Sequence, residues 1–467
     1  MINPNSMGAT AMELTKRRTG TMLEGPLLRC IVSYTVPIIL TGILQLLFNA
    51  ADLVVVGRFC GELSVAAVGN AGTVTSLIVN LFIGLSVGTG VTVAHALGAK
   101  KDDDVHRAVH TALPAAIVCG IIITAVGLIF SKSLLRLMDT PESVLNLSDL
   151  YLKIYFAGTI FMMVYNFAAA ILRAAGDTKS PLIFLTIAGV INVVLNVIFV
   201  TLFHMNVAGV ALATSISQAV SAVLVVITLM RRTDSCKLRL SKMRFYKAQL
   251  LEMIRIGLPA GIQNSLFSIS NVIIQTSINS FGDIFMSGNA AAANIDSFLY
   301  ITVNGFHQTA LNFIGQNVGA GQYKRAKKIL WSCLGFVIVV GFVAATLIYL
   351  AGPTLLSFYI PDSPEAVQWG MVRLSCLCYP FLLGGLLDVS TGALRGMGAS
   401  TSPMIISVLG ICGLRILWIY TVFQIPTFHT PQCLYFSYAV SWGVTFLCQL
   451  AVFFVIYRRK TKLLPTL

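Results

Sequence analysis

The sequence predicts an all-α polytopic membrane protein with twelve transmembrane helices in two six-helix lobes. Three observations carry this expectation. Apolar runs long enough to cross a bilayer recur along the chain, charged residues are scarce, and the second half repeats the first. Hydrophobic residues make up 56% of the 467 positions and charged residues 11%. Soluble domains carry about 25% charged residues, so this chain lacks the side chains to coat a water-facing surface of its size. Lipid is the expected solvent.

A ~30 Å hydrocarbon layer needs about 20 apolar residues of helix. Such runs place the spans at 30–56, 65–97, 107–131, 150–174, 180–203, 208–231, 250–280, 287–318, 326–352, 366–394, 402–424 and 432–457. The expected organisation is a cytoplasmic amino-terminal segment 1–29, an amino-terminal lobe 30–231, a basic linker 232–249, a carboxyl-terminal lobe 250–457 and a tail 458–467. No small-residue cleavage site follows the first apolar run, so the first span is expected to be a retained helix and not a signal peptide.

The formal net charge of +14 raises nucleic acid as a partner, but the placement of the charges argues against it. When the spans are read alternately, all but six of the 32 Lys and Arg fall on one side, from Lys16, Arg17 and Arg18 through the linker to Arg458 and Arg459. The exceptions are Arg58, Lys132, Arg136, Lys153, Arg373 and Arg415. This is the positive-inside pattern of a multi-pass protein of the cell inner (cytoplasmic) membrane, with both termini in the cytoplasm. The basic loops are expected to serve topology and anionic lipid headgroups. No nucleic-acid partner is expected, and the chain is expected to be a monomer.

The halves align at a shift of about 222 residues: Pro37 with Pro259, Asn49 with Asn271, and ILRAAGDTKSPL at 171–182 with ALRGMGASTSPM at 393–404. Five identities in those twelve positions include Arg173 with Arg395 and Pro181 with Pro403. Six spans per half give both repeats the same orientation, an arrangement found in transporters that rock two lobes about a central site.

An ionisable group in mid-membrane costs about 2.5–3.5 kcal/mol on insertion scales, so the acids within spans are candidates for function. Asp52 lies late in the first span, one turn after Asn49 and flanked by apolar residues. A carboxyl group in such surroundings favours its neutral form, and proton exchange there can be coupled to movement. The alternative is an Asp at a helix end reaching water. Asn192 and Asn196, four apart, share a face of the fifth span. Their amides can coordinate a cation or hydrogen-bond Asp52, with Thr214 and Asn166 able to join them. Each could equally be an ordinary interhelical hydrogen bond. Pro37 and Pro259 each remove a backbone hydrogen bond and can kink their helices. Asp388 in the tenth span is a second candidate acid. His307, Gln308 and Asn304 form a polar patch whose histidine reads first as a satisfied interior residue.

Other patterns carry less. GLSVG at 84–88 fits G-x-S-x-G but lies inside a helix with no strand before it, so Gly84 and Gly88 read as a packing face. His106 and His110 lack the Glu of the zinc motif. Most of the ten cysteines sit in apolar runs and behave as small hydrophobes, although a Cys60–Cys433 bridge is open. No Walker A sequence is present. The expectation is a non-enzyme without cofactor.

The first-span pattern Pro37…Asn49-Ala50-Ala51-Asp52…Gly57-Arg58, AAVGNAG at 66–72 and the paired LRAAGDTKSP and LRGMGASTSP loops resemble the multidrug and toxic compound extrusion (MATE) family over 25–457. The resemblance implies two six-helix lobes, a cavity opening alternately to each side, and antiport of small amphipathic, often cationic substrates against H⁺ or Na⁺. It also implies a cation site at Asp52, Asn192, Asn196, Thr214 and Asn166. One departure bears on the ion: many relatives have Asp where this chain has Asn196, and a lone carboxylate leans toward H⁺. The rivals are a lipid-linked-precursor flippase of the same superfamily, which calls for several cationic side chains facing the cavity, and an intramembrane transferase, which calls for clustered acids in the spans.

Overall fold

The computed structural model describes residues 22–138, 140–361 and 363–462. The basic cluster Lys16–Arg18 and the last residues of the tail lie outside them. Every regular element among the described residues is helical. The first six spans are α1 (Leu27–Phe59), α2 (Glu62–Gly98), α3 (Asp102–Leu137), α4 (Glu142–Ala174), α5 (Lys179–Val197, continued by a π turn Ile198–Leu202) and α6 (Asn206–Arg231). After the linker come α7 (Lys247–Asn279), α8 (Asp283–Gly319) and α9 (Tyr323–Tyr359). The tenth span is broken into α10 (Pro364–Leu377) and α11 (Phe381–Gly396), bent by 49°. The eleventh joins α12 (Thr401–Ser407), a π turn Val408–Gly413 and α13 (Leu414–Tyr420), and α14 (Pro431–Lys462) completes twelve.

Nine of the described helical segments, or ten with the bent pair, are long and apolar enough to cross a membrane. α7 and α8 fall short because polar side chains such as Gln263, Asn264, Asn289 and Asp296 interrupt them. Their place in the repeat makes them spans nonetheless. The duplication also shows in the backbone. The turns ending the first, second and fourth spans of each half hold a left-handed residue at matching positions: Gly61 and Gly282, Lys100 and Gly321, Gly176 and Gly398. Left-handed φ carries no side-chain penalty at Gly. Lys100 adopts it at φ 54°, the less common use of that region by a side-chain-bearing residue.

The bend at 378–380 was not expected from the continuous apolar run 366–394. Pro380 cannot donate a backbone hydrogen bond, and the chain restarts its helix there. By contrast α1, α3, α7 and α9 run unbroken through Pro37, Pro114, Pro259 and Pro353.

The chain forms two compact units, one ending at Gly261 and the other beginning at Ile262. The division falls inside α7 because the first half of that helix is bound to the first unit. A Cβ on Gly84 of α2 would meet the backbone N of Gly261 at 2.1 Å, and one on Gly88 would meet the Met253 carbonyl at 2.1 Å. The expected packing face is therefore real, and only glycine lets these two backbones approach so closely. Within the first unit α4 is the hub, packed against α3, α6 and α2. In the second unit α8 takes that place, against α11, α9 and α10.

The linker is docked on the first unit. His110, fully buried, donates from Nδ1 to the His106 carbonyl (2.7 Å) and accepts at Nε2 from the Arg239 N–H (3.0 Å). The Tyr246 N–H donates to Thr111 Oγ1 (3.2 Å), and the Tyr246 ring lies 4.5 Å from the Arg244 guanidinium. Cys236 is enclosed under this strap, and burial pushes its thiol up to about 12. All ten cysteines are free thiols.

Candidate functional site

The first unit holds an open cavity of about 330 Å³ between α1, α4, α5 and α6, with Ile83 of α2 on its wall. Asp52 lines it. So do Asn49 one turn earlier on α1, Asn166 on α4, Asn192 on α5 and Thr214 on α6. Asn196 stands directly behind the wall. The residues singled out in the amino-terminal half, apart from the helix proline Pro37, thus come together around one space. Asp52 faces this cavity.

A chain of hydrogen bonds links the carboxylate through α5 to α6, running outward from Asn196 in both directions. The Thr214 hydroxyl donates to the Val210 carbonyl (3.0 Å), and the Asn192 amide donates to Thr214 Oγ1 (3.3 Å). The Asn196 amide donates to Asn192 Oδ1 (3.3 Å) and, with its other hydrogen, to Asp52 Oδ1. Asn192 and Asn196 are 5% and 0% exposed, so these amides have no water to fall back on. Both Asn196 hydrogens are used, yet its Oδ1 is buried with no partner. An unsatisfied acceptor in an apolar interior costs on the order of 1–3 kcal/mol. Beside a carboxylate it supplies a second oxygen of the kind a proton or alkali cation binds.

Asn166 is held differently. Its amide donates to the Met162 carbonyl one turn back (2.9 Å), leaving the side chain on the cavity wall but outside the chain to Asp52. Pro37 is buried in α1 well before Asp52, and the Thr41 hydroxyl closes on its carbonyl (2.7 Å). Close helix contact is again set by a glycine: a Cβ on Gly189 of α5 would fall 1.9 Å from the Phe48 ring of α1.

The second unit has its own polar centres. The Asp388 carboxyl faces Asn304, Tyr300 and Arg395. Arg395, near the end of α11, is 4% exposed and donates to Gln263 Oε1 (2.9 Å). His307 donates from Nδ1 to the Asp388 carbonyl oxygen (2.7 Å), a satisfied interior histidine. Sequence reasoning missed a further pair: Arg373 bridges Asp296 (2.8 Å) and donates to Asn289 (2.8 Å), which also accepts from the Tyr435 hydroxyl (2.8 Å). Asp296, an acid within the eighth span with a cationic counterpart in the tenth, was the available signal. Also missed were the cavity residues Gln45, Phe48, Tyr165, Ser217, Gln218 and Ser221. With Thr214, the three from α6 form a polar stripe at helical spacing that would have given them away.

A duplicated set of membrane-spanning apolar helices, with a carboxylate and its amide partners at a cavity in the first unit, is the arrangement of a polytopic membrane transporter. The MatE family model matches this chain twice, at 37–198 and at 259–421, and the two matches begin 222 residues apart as the internal repeat does. The chain belongs to the MatE family of multidrug efflux transporters. It is 30% identical over 396 residues to the probable multidrug resistance protein YpnP of Bacillus subtilis, covering 84% of this chain and 87% of that one. It is 26% identical to the FAD transporter of Shewanella oneidensis (85% and 87% covered) and 21% identical to the multidrug export protein MepA of Staphylococcus aureus (94% and 96%). Among solved structures, a MOP superfamily transporter from Pyrococcus furiosus superposes with a TM-score of 0.89 at 20% identity, covering 95% and 99% of the two chains. A MATE crystal structure in complex with MaL6 gives 0.88 at 20%, with the same coverage. At that identity the likeness is one of fold.

Proposed function

We propose that this chain exports small amphipathic compounds in exchange for a cation, with Asp52 as the coupling group and H⁺ as the favoured ion. The observation that carries the reading is the relay Thr214–Asn192–Asn196–Asp52 on the wall of the amino-terminal cavity. Asn196 donates one amide hydrogen to the carboxylate and the other to Asn192, whose own amide donates on to Thr214, so a single amide N–H ties Asp52 to the network on α5 and α6. Proton uptake removes the charge and turns the Asn196–Asp52 bond from charge-assisted to neutral, roughly halving its strength. That loosens α1 from α5 when the ion binds. Ion and substrate then compete through one helix, as antiport requires.

A single carboxylate with neutral amides suits a proton better than Na⁺, which is held by several hard oxygen donors. Both termini are placed in the cytoplasm by the distribution of Lys and Arg, and substrate enters from that side or from the inner leaflet. The test is efflux of ethidium from an efflux-deficient host with the proton and sodium gradients collapsed separately. Loss of efflux with the proton gradient alone supports the reading, and efflux that survives collapse of both gradients contradicts it.

A further inference from the structure

Three arginines lie within spans of the second unit, Arg395 and Arg415 buried and Arg373 half-buried, and they differ in what neutralises them. Arg373 is paired with Asp296 (2.8 Å), and Arg395 lies opposite Asp388. Arg415 is 3% exposed and has no carboxylate against it among the described residues. Its Nε donates to the Ser441 hydroxyl (3.0 Å), while Nη2 is buried with no hydrogen-bond partner. Two rings frame it: the guanidinium carbon lies 3.9 Å from the Tyr438 ring centroid and 5.3 Å from that of Trp442. Phe381 stands 5.1 Å from Trp442, extending the aromatic wall. Tyr438 and Trp442 are half-buried, so the frame is not closed over. The π turn Val408–Gly413 immediately precedes the helix carrying Arg415. Such turns re-aim side chains and gather at functional sites.

A buried guanidinium without a counter-charge is expensive, and ring faces offset only part of that cost. A free N–H aimed into the protein beside ring faces matches one ligand chemistry: a planar aromatic group bearing an anionic oxygen. We propose that Arg415, with Ser441, Tyr438 and Trp442, forms a binding site in the second unit for the carboxylate of aromatic organic anions. This chain then accepts anionic as well as cationic substrates. The inference deepens the exporter reading and rests on it, but it is tested by equilibrium binding. No gradient is needed, so its failure is distinguishable from a failure of coupling at Asp52.

The probe is 1-naphthoate, compared with the neutral isostere 1-naphthamide, titrated calorimetrically into the purified full chain in phosphatidylcholine nanodiscs. The wild type should bind the acid roughly tenfold or more tightly than the amide, the preference expected of one charge-assisted contact. Arg415→Gln should erase that preference and leave amide binding unchanged, and Arg415→Lys should keep part of it. Equal binding of acid and amide by the wild type overturns the proposal, and needs no variant to fold. An undiminished preference in a folded Arg415→Gln protein also overturns it. So does loss of naphthoate binding when phosphatidylglycerol replaces phosphatidylcholine, because the site would then belong to a lipid headgroup.

Discussion

Replacing Asp52 by asparagine removes the ionisable group while keeping the size of the side chain, so the cavity wall keeps its shape. What changes is the bond from Asn196. To an ionised carboxylate it is worth roughly 1.5–3 kcal/mol, and between neutral groups about 1 kcal/mol. The difference of about 1–2 kcal/mol corresponds to a factor of about 5–30 between two arrangements of α1 against α5. In the wild type that factor is switched by the proton. In Asp52→Asn it is fixed at the neutral value, so an imposed pH gradient has nothing to act on. In reconstituted vesicles at matched incorporation, ethidium transport driven by a pH gradient should fall below about one-tenth of wild type, the equivalent of ~1.4 kcal/mol. Equilibrium ethidium binding should change by only a few fold, because the cavity is intact. Wild-type gradient-driven transport by the variant refutes the reasoning.

The same relay predicts that Asn196→Asp, which places a second carboxylate beside Asp52, makes ethidium transport respond to a sodium gradient in the same vesicles; unchanged indifference to Na⁺ speaks against a cation site there. Gly84→Val should drive α2 and α7 apart at Gly261 and lower thermal stability by about 1–3 kcal/mol or more, read as a fall in Tm by tryptophan fluorescence; an unchanged Tm means the helices separate without cost. In the linker, His110→Ala removes the acceptor for the Arg239 N–H, worth about 1 kcal/mol. It should raise maleimide labelling of Cys236 roughly fivefold, and unaltered labelling would show that the strap is held elsewhere. Burial raises the Cys236 thiol to about 12 in the docked linker from the ordinary value of 9.0. Docking is therefore favoured fully below that ordinary value and is lost as pH rises toward 12. Protease access to the linker should grow over that alkaline window and stay flat from pH 6 to 8.

The spans were legible because burying a helical backbone in lipid leaves a long apolar signature. α7 and α8 were also placed from their apolar runs, although Gln263, Asn289 and Asp296 dilute those runs below what the other spans show. Where helices break was not legible. Pro37, Pro114, Pro259 and Pro353 sit inside unbroken helices while Pro380 ends one, because the neighbours decide whether a lost hydrogen bond is repaired. Asp52, Asn192 and Asn196 stood out because polar groups at i and i+4 in an apolar helix need a partner. The direction of the relay could not be read, as it depends on which amide face meets α1 and α6. The burial of Arg395 was hidden for a related reason: a basic residue at a span end satisfies the positive-inside pattern whether it points to water or, as here, toward Gln263 and Asp388. Arg373 and Asp296 were each visible, but 77 residues of chain separate them, and nothing local in the sequence joins them.

The central claim is that ion and substrate are linked through one carboxylate. Its most direct measurement is proton exchange on substrate binding, followed with a pH-sensitive dye as ethidium is titrated into weakly buffered purified protein. The account predicts release of up to one proton per chain, largest in the pH range where Asp52 titrates, and none from Asp52→Asn. Equal release from both proteins, or none from the wild type at any pH between 5 and 9, contradicts it.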